Sequence, residues 1–210
     1  MNKLILLAFF SATILPSSGQ PPSSNTSPFE LPAAAASEGS VYDLDSEWLD
    51  QNGKKIKLSE LKGNIRILAM GYTSCKFACP RILANIQRIE RALIEKNTDL
   101  SHVTFSFISI DPETDTPERL KELEKNYQLD PKHWTLLTGD EDGVLELAVA
   151  LGMKYRKTST LDFAHSNIIT ILAPDGTLLQ QITGLDADLS KPLDAIQNAI
   201  SSISKNTPKP

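Results

Sequence analysis

Apolar positions along the 210-residue chain fall into two kinds of pattern, and each predicts an element. Continuous or alternating apolar runs mark strands, whereas recurrence every three and four residues marks helices. Glu47-Trp48-Leu49-Asp50 and Lys55-Ile56-Lys57-Leu58 flank Asn52-Gly53, two residues that tolerate positive φ, so they predict a β-hairpin. Ser59 then caps a short helical turn ending at Gly63. Ile65 to Tyr72 is apolar on both sides, as a central strand covered on both faces requires. Ile82, Leu83, Ile86, Ile89, Leu93 and Ile94 recur at helical spacing up to Lys96, and Val103 to Ile110 is a second buried strand. Thr116-Pro117 opens a helix through Tyr127, because threonine caps well and proline fits the first helical position. Trp134 to Leu137 reads as a short strand, and Gly143 to Leu151 as a helix stopped by Gly152. His165 to Leu172 is a third core strand, joined through Pro174-Asp175-Gly176 to a strand over Thr177 to Thr183. An amphipathic helix from Leu189 to Ile203 closes the chain.

Strand–helix–strand followed by a hairpin and a terminal helix predicts a thioredoxin-like α/β sandwich with an N-terminal hairpin extension, over residues 41–205. Before it, residues 1–19 read as a signal peptide: Lys3 supplies the positive start and Leu4 to Leu15 the apolar stretch. That stretch falls short of the roughly twenty residues of a membrane span, so membrane contact is expected only if the segment stays uncleaved. Residues 20–40, rich in Pro, Ser and Ala, read as a flexible linker. The expected location is the periplasm, with attachment to the inner membrane as the uncleaved alternative.

Charge narrows the partners. The chain carries 21 Lys and Arg against 26 Asp and Glu, and loss of Lys3 with the signal deepens the deficit. An acidic chain is a poor match for nucleic acid or an anionic membrane surface.

The two cysteines of the whole chain lie four residues apart in Tyr72-Thr73-Ser74-Cys75-Lys76-Phe77-Ala78-Cys79-Pro80. A domain of this size folds without a disulfide, so the pair is expected to do more than staple. At the start of a helix, the dipole and free N–H groups favour thiolate. Two sulfurs one turn apart suit either a redox disulfide or a soft metal ion. His165 is a distant third donor, and two thiolates with one imidazole fit copper better than structural zinc or a cluster, which need four ligands.

Three segments together resemble the Sco/SenC family of copper chaperones: the cysteine motif, Ile108-Ser109-Ile110-Asp111-Pro112-Glu113-Thr114-Asp115-Thr116-Pro117, and the His165 strand leading into Pro174-Asp175-Gly176. The resemblance implies a thioredoxin-like fold and one copper ion held by Cys75, Cys79 and His165. It also implies a role in assembling the binuclear copper site of cytochrome c oxidase. A thiol reductant is the second expected partner, because an exported cysteine pair oxidises unless a reductant or a metal keeps it reduced. Many members carry Pro-Asp where this chain has Lys76-Phe77, and an acidic residue where it has Ala164, with Asp162 further back. The competing function is thiol–disulfide exchange on a partner, with Cys75 attacking and Cys79 resolving. Outside the motif, His102 and His133 read as structural, Met70 and Met153 as core, and Asp111 and Asp115 as a turn before the Thr116 cap. Lys154, Arg156 and Lys157 read as a solvated basic patch.

Overall fold

The computed structural model describes residues 39–160, 162–186 and 188–206. The expected signal peptide and nearly all of the expected linker lie outside the described residues. No described helix is long and apolar enough to cross a membrane.

The sheet is built around the most apolar run of the domain. Strands β1 (Glu47–Asp50) and β2 (Lys55–Lys57) form the hairpin, with Gly53 at positive φ in its turn. Strand β3 (Ile65–Gly71) is buried at every residue. It is followed by α1 (Ala78–Glu95), β4 (Val103–Ser109), α2 (Pro117–Asn126), β5 (Trp134–Gly139) and α3 (Glu141–Ala150). Then come β6 (Tyr155–Lys157), β7 (Phe163–His165), β8 (Ile168–Leu172), β9 (Leu178–Thr183) and α4 (Ser190–Asn206). Seven strands form one sheet in the order β2-β1-β5-β4-β3-β8-β9. Strands β3, β4 and β5 run parallel, and the remaining pairings in this sheet are antiparallel. The parallel connections need helical crossovers, which α1 and α2 supply. Helix α1 packs on β3 and against α4, and α2 packs on β5 and β1. This is the thioredoxin-like arrangement read from the element order, with the hairpin added at the β5 edge.

Polar side chains fix that addition. Gln51, buried in the hairpin turn, donates to Glu124 (2.9 Å) and to the Trp134 carbonyl (3.2 Å), and accepts from Leu136 N–H (3.0 Å). Trp48 lies opposite Gly139, where a Cβ would come within 2.8 Å of the indole. Arg66 interrupts the apolar run of β3; its guanidinium is buried and donates to Tyr42, Ser106 and the Leu61 carbonyl.

Several boundaries differ from the sequence reading. The expected single strand His165 to Leu172 is two strands, broken at Ser166-Asn167. There Ser166 N–H donates to the Lys154 carbonyl and Asn167 O accepts from Gly184 N–H. Strand β7 instead pairs with β6 in a separate two-stranded ribbon, so Arg156 and Lys157 are strand residues, and Lys157 pairs with Glu113. Helix α3 starts at Glu141, because the Asp140 carboxylate accepts from Gly143 N–H (2.7 Å) and caps it earlier than expected. The turn after β2 begins at Leu58, where the Glu60 carboxylate takes the Lys57 N–H, so Ser59 lies inside it and is not its cap.

Candidate metal centre

The cysteine loop leaves the end of β3 at the C-terminal edge of the parallel strands, where open α/β sheets gather their functional groups. Cys75 closes a turn by donating its N–H to the Tyr72 carbonyl (3.3 Å) and is half-buried. Cys79, the second residue of α1, is 3% exposed, and its N–H donates to Cys75 Sγ (3.4 Å). Gly71 makes room for the second thiol: a Cβ on it would lie 2.7 Å from Cys79 Sγ.

His165 reaches the same place from the ribbon, as the last residue of β7 and opposite Tyr155. Its Nε2 lies 3.7 Å from Cys79 Sγ, while Nδ1 lies 3.0 Å from the Ser166 carbonyl oxygen. A carbonyl only accepts, so Nδ1 carries the proton and the Nε2 lone pair faces the sulfurs. A main-chain carbonyl therefore does the orienting that an acidic neighbour at position 164 would do. The tyrosine before the loop adds a wall. Tyr72 meets the imidazole edge-on (centroids 5.8 Å apart) and accepts from Phe163 N–H (3.3 Å), with Asp162 as its own acceptor (3.4 Å).

The two thiols are electrostatically unequal. Cys75 is lowered to about 4, first because Cys79 donates its S–H to it and further because the main-chain N–H of Cys79 points at its sulfur. Cys79 is raised well above the usual thiol range, by that same hydrogen bond first and burial second. Without metal, the pair is thus a half-exposed thiolate accepting from a buried thiol. Burial also pushes Tyr72 up to about 12, so its hydroxyl stays protonated.

Asp115 is a functional residue whose reach the sequence reading missed. Its fully buried carboxylate accepts from Thr73 N–H (2.9 Å), the Thr73 hydroxyl and the Ser109 hydroxyl (2.6 Å). It thereby ties the cysteine loop to the end of β4. Burial raises its pKa, against the opposing effect of these donors. A polar side chain just before the loop and an aspartate just before a capped helix were the available signals. Asp111 does form the expected turn, its carbonyl accepting from Thr114 and Asp115 N–H groups.

The structure brings Cys75, Cys79 and His165 together, with one donor atom of each lying within 4.8 Å of the others. The remaining two histidines lie elsewhere: His102 ends the turn before β4 and His133 precedes β5, at the opposite ends of the parallel strands. Met70 and Met153 are buried in the core. A three-coordinate ion with bonds of about 2.3 Å to sulfur and 2.0 Å to nitrogen sets those donors about 3.7 Å apart. The Cys79–His165 edge already has that length. Two soft thiolates and one imidazole without a fourth donor among the described residues suit Cu(I) better than tetrahedral zinc.

The SCO1/SenC family profile matches residues 34–201. The SCO1 protein homolog of Bacillus subtilis is 29% identical over 158 residues, which cover 74% of this chain and 79% of that protein. Among solved structures, Bradyrhizobium japonicum ScoI with copper bound superposes with a TM-score of 0.60 at 29% identity, covering 73% of this chain and 94% of that one. BsSco, described as a member of the Sco family of cytochrome c oxidase assembly proteins and as containing a disulfide switch, gives 0.64 at 26% identity, covering 74% and 91%. With the profile matched from residue 34 to residue 201, the chain belongs to the SCO1/SenC family.

Proposed function

We propose that this chain binds one copper ion through Cys75 Sγ, Cys79 Sγ and His165 Nε2 and delivers it to an exported or membrane-bound copper enzyme. The target we assign is the binuclear copper site of cytochrome c oxidase. The observation that carries the reading is the convergence of three donors of the right softness from two separate elements. The copper-bound Bradyrhizobium relative and the oxidase-assembly description of BsSco support it. Cys75, more exposed than Cys79, is the edge at which an incoming donor can replace the site's own, and a buried Cys79 keeps hold of the ion meanwhile.

A second reading rests on the unequal thiols. The Cys75 thiolate would attack a partner disulfide and expel one partner sulfur. Cys79 would then lose its proton and attack the mixed disulfide, leaving a Cys75–Cys79 disulfide and a reduced partner. A thiol reductant must then restore the pair.

Complementation of a deletion strain separates the two. Copper delivery requires Cys75, Cys79 and His165 together, and added copper partly restores oxidase activity in the deletion strain. Full complementation by His165→Ala while either cysteine variant fails would assign the essential work to thiol exchange. Export follows from residues 1–19, and N-terminal sequencing of the periplasmic protein is expected to start at Gln20. Recovery of Met1 in a membrane fraction would indicate an anchor.

A further inference from the structure

Phe77 stands between the two cysteines with 86% of its surface exposed, on the residue that precedes α1. Among the described residues it is the most exposed large apolar side chain and the one exposed aromatic. By contrast Phe105 and Phe107 are buried, and Phe163 packs against Tyr72 and Tyr155. Its neighbour Lys76 is exposed and makes no ion pair among the described residues.

Placement decides what these two side chains meet. An ion passing from Cys75, Cys79 and His165 to a second protein is shared at some moment by donors from both. The acceptor's ligands then lie within about 4 Å of these three. The loop between Cys75 and Cys79 rims the site, so the acceptor covers Lys76 and Phe77 whenever transfer occurs. A flat polar surface there leaves a phenyl ring against unmatched polar groups, whereas an apolar cleft gains its burial. Buried aromatic anchors at the centre of an interface carry a large share of its binding energy.

We propose that Phe77 is the docking anchor of this chain. Its ring enters an apolar cleft beside the copper-receiving ligands of the acceptor, and Lys76 pairs with a carboxylate on the rim of that cleft. The proposal rests on the copper-delivery reading above. An aromatic ring and a cation side by side at positions 76 and 77 also give this chain its own partner preference.

The test uses the mature chain loaded with copper and the reduced, copper-free soluble domain of the oxidase subunit that carries the binuclear site. Docking is read by calorimetry and transfer by intact-mass spectrometry. Phe77→Ala is expected to weaken docking about 10- to 100-fold, the gain of burying one phenyl side chain. It should slow transfer at low acceptor concentration, not at saturation, with the chain's own copper affinity unchanged. Phe77→Leu is expected to recover most of the loss, and Lys76→Glu to weaken docking more at low salt than at high salt. If wild type docks and transfers and Phe77→Ala does both equally well, the anchor is refuted while copper delivery stands. If wild type itself neither docks nor transfers, both that target and the anchor fall. If sedimentation finds a wild-type dimer that Phe77→Ala dissolves, with docking unaffected, the cleft belongs to a second copy and the proposal is overturned.

Discussion

Replacing Gly71 with alanine tests how closely the fold is fitted to the second thiol. The new Cβ would lie 2.7 Å from Cys79 Sγ and 2.9 and 3.1 Å from two ring atoms of Phe107. Comfortable non-bonded separations are about 3.5–4.0 Å, so each contact is short by roughly 0.5–1 Å. Phe107 is 1% exposed and wedged in β4, at the centre of the sheet, so it cannot retreat far. The sulfur is the atom free to give, by rotation about its Cα–Cβ bond. Overpacking of this size costs about 1–3 kcal/mol. In the metal-free protein part of that is relieved when the thiol turns away. In the copper-bound protein the sulfur must hold its position, and the cost appears as a copper affinity weakened about 5- to 100-fold. Anaerobic competition against a Cu(I) chelator, alongside thermal melts of the metal-free protein, reads both quantities. Wild-type affinity in a variant that melts much lower would make Gly71 a packing residue only. Wild-type behaviour in both would refute the claim that the thiol needs this space.

Other perturbations probe the remaining parts of the site. Iodoacetamide at pH 6 is expected to modify Cys75 and spare Cys79, and the Cys75 rate should fall only as pH drops toward about 4, because its lowered pKa keeps it thiolate above that value. Peptide mapping checks this, and equal labelling of both cysteines would contradict the unequal pair. Asp115→Ala removes the acceptor of three donors, the buried Ser109 hydroxyl and the half-buried Thr73 N–H and hydroxyl, and is expected to destabilise the domain by about 1–3 kcal/mol, with looser copper binding; denaturant titration and chelator competition measure the two effects. His165→Ala should weaken copper binding and change the Cu(II)–thiolate absorption while leaving the Cys75–Cys79 redox couple largely intact, and transfer at the wild-type rate would make the histidine structural.

Much of the sheet was legible because its strands are apolar runs, α1 because its apolar residues recur at helical spacing, and α2 because Thr116-Pro117 caps its start. The ribbon of β6 and β7 was not. Tyr155-Arg156-Lys157 is polar and three residues long, and it becomes a strand only through pairing with Phe163-Ala164-His165. That pairing, absent from any local pattern, places the imidazole over the cysteines. Likewise the attachment of β1 to β5 depends on Gln51 and on the space at Gly139, both contacts between distant residues. The cysteine pair announced itself by spacing and position. His165 stood out only as a distant candidate donor until the family resemblance favoured it, since an isolated histidine beside an apolar strand is more often structural. The carbonyl that orients it, and the carboxylate of Asp115 behind the loop, became visible only in three dimensions.

The central claim is that the two sulfurs and the imidazole form one copper site that exists only in the reduced protein. Anaerobic titration of the reduced chain with Cu(I), followed by mass spectrometry of the intact complex, tests it most directly. The account predicts saturation at one copper per chain, and no binding after oxidation to a Cys75–Cys79 disulfide, since thiolates are the ligands. Equal copper uptake by the oxidised protein, or a reduced protein that takes up none, would contradict it.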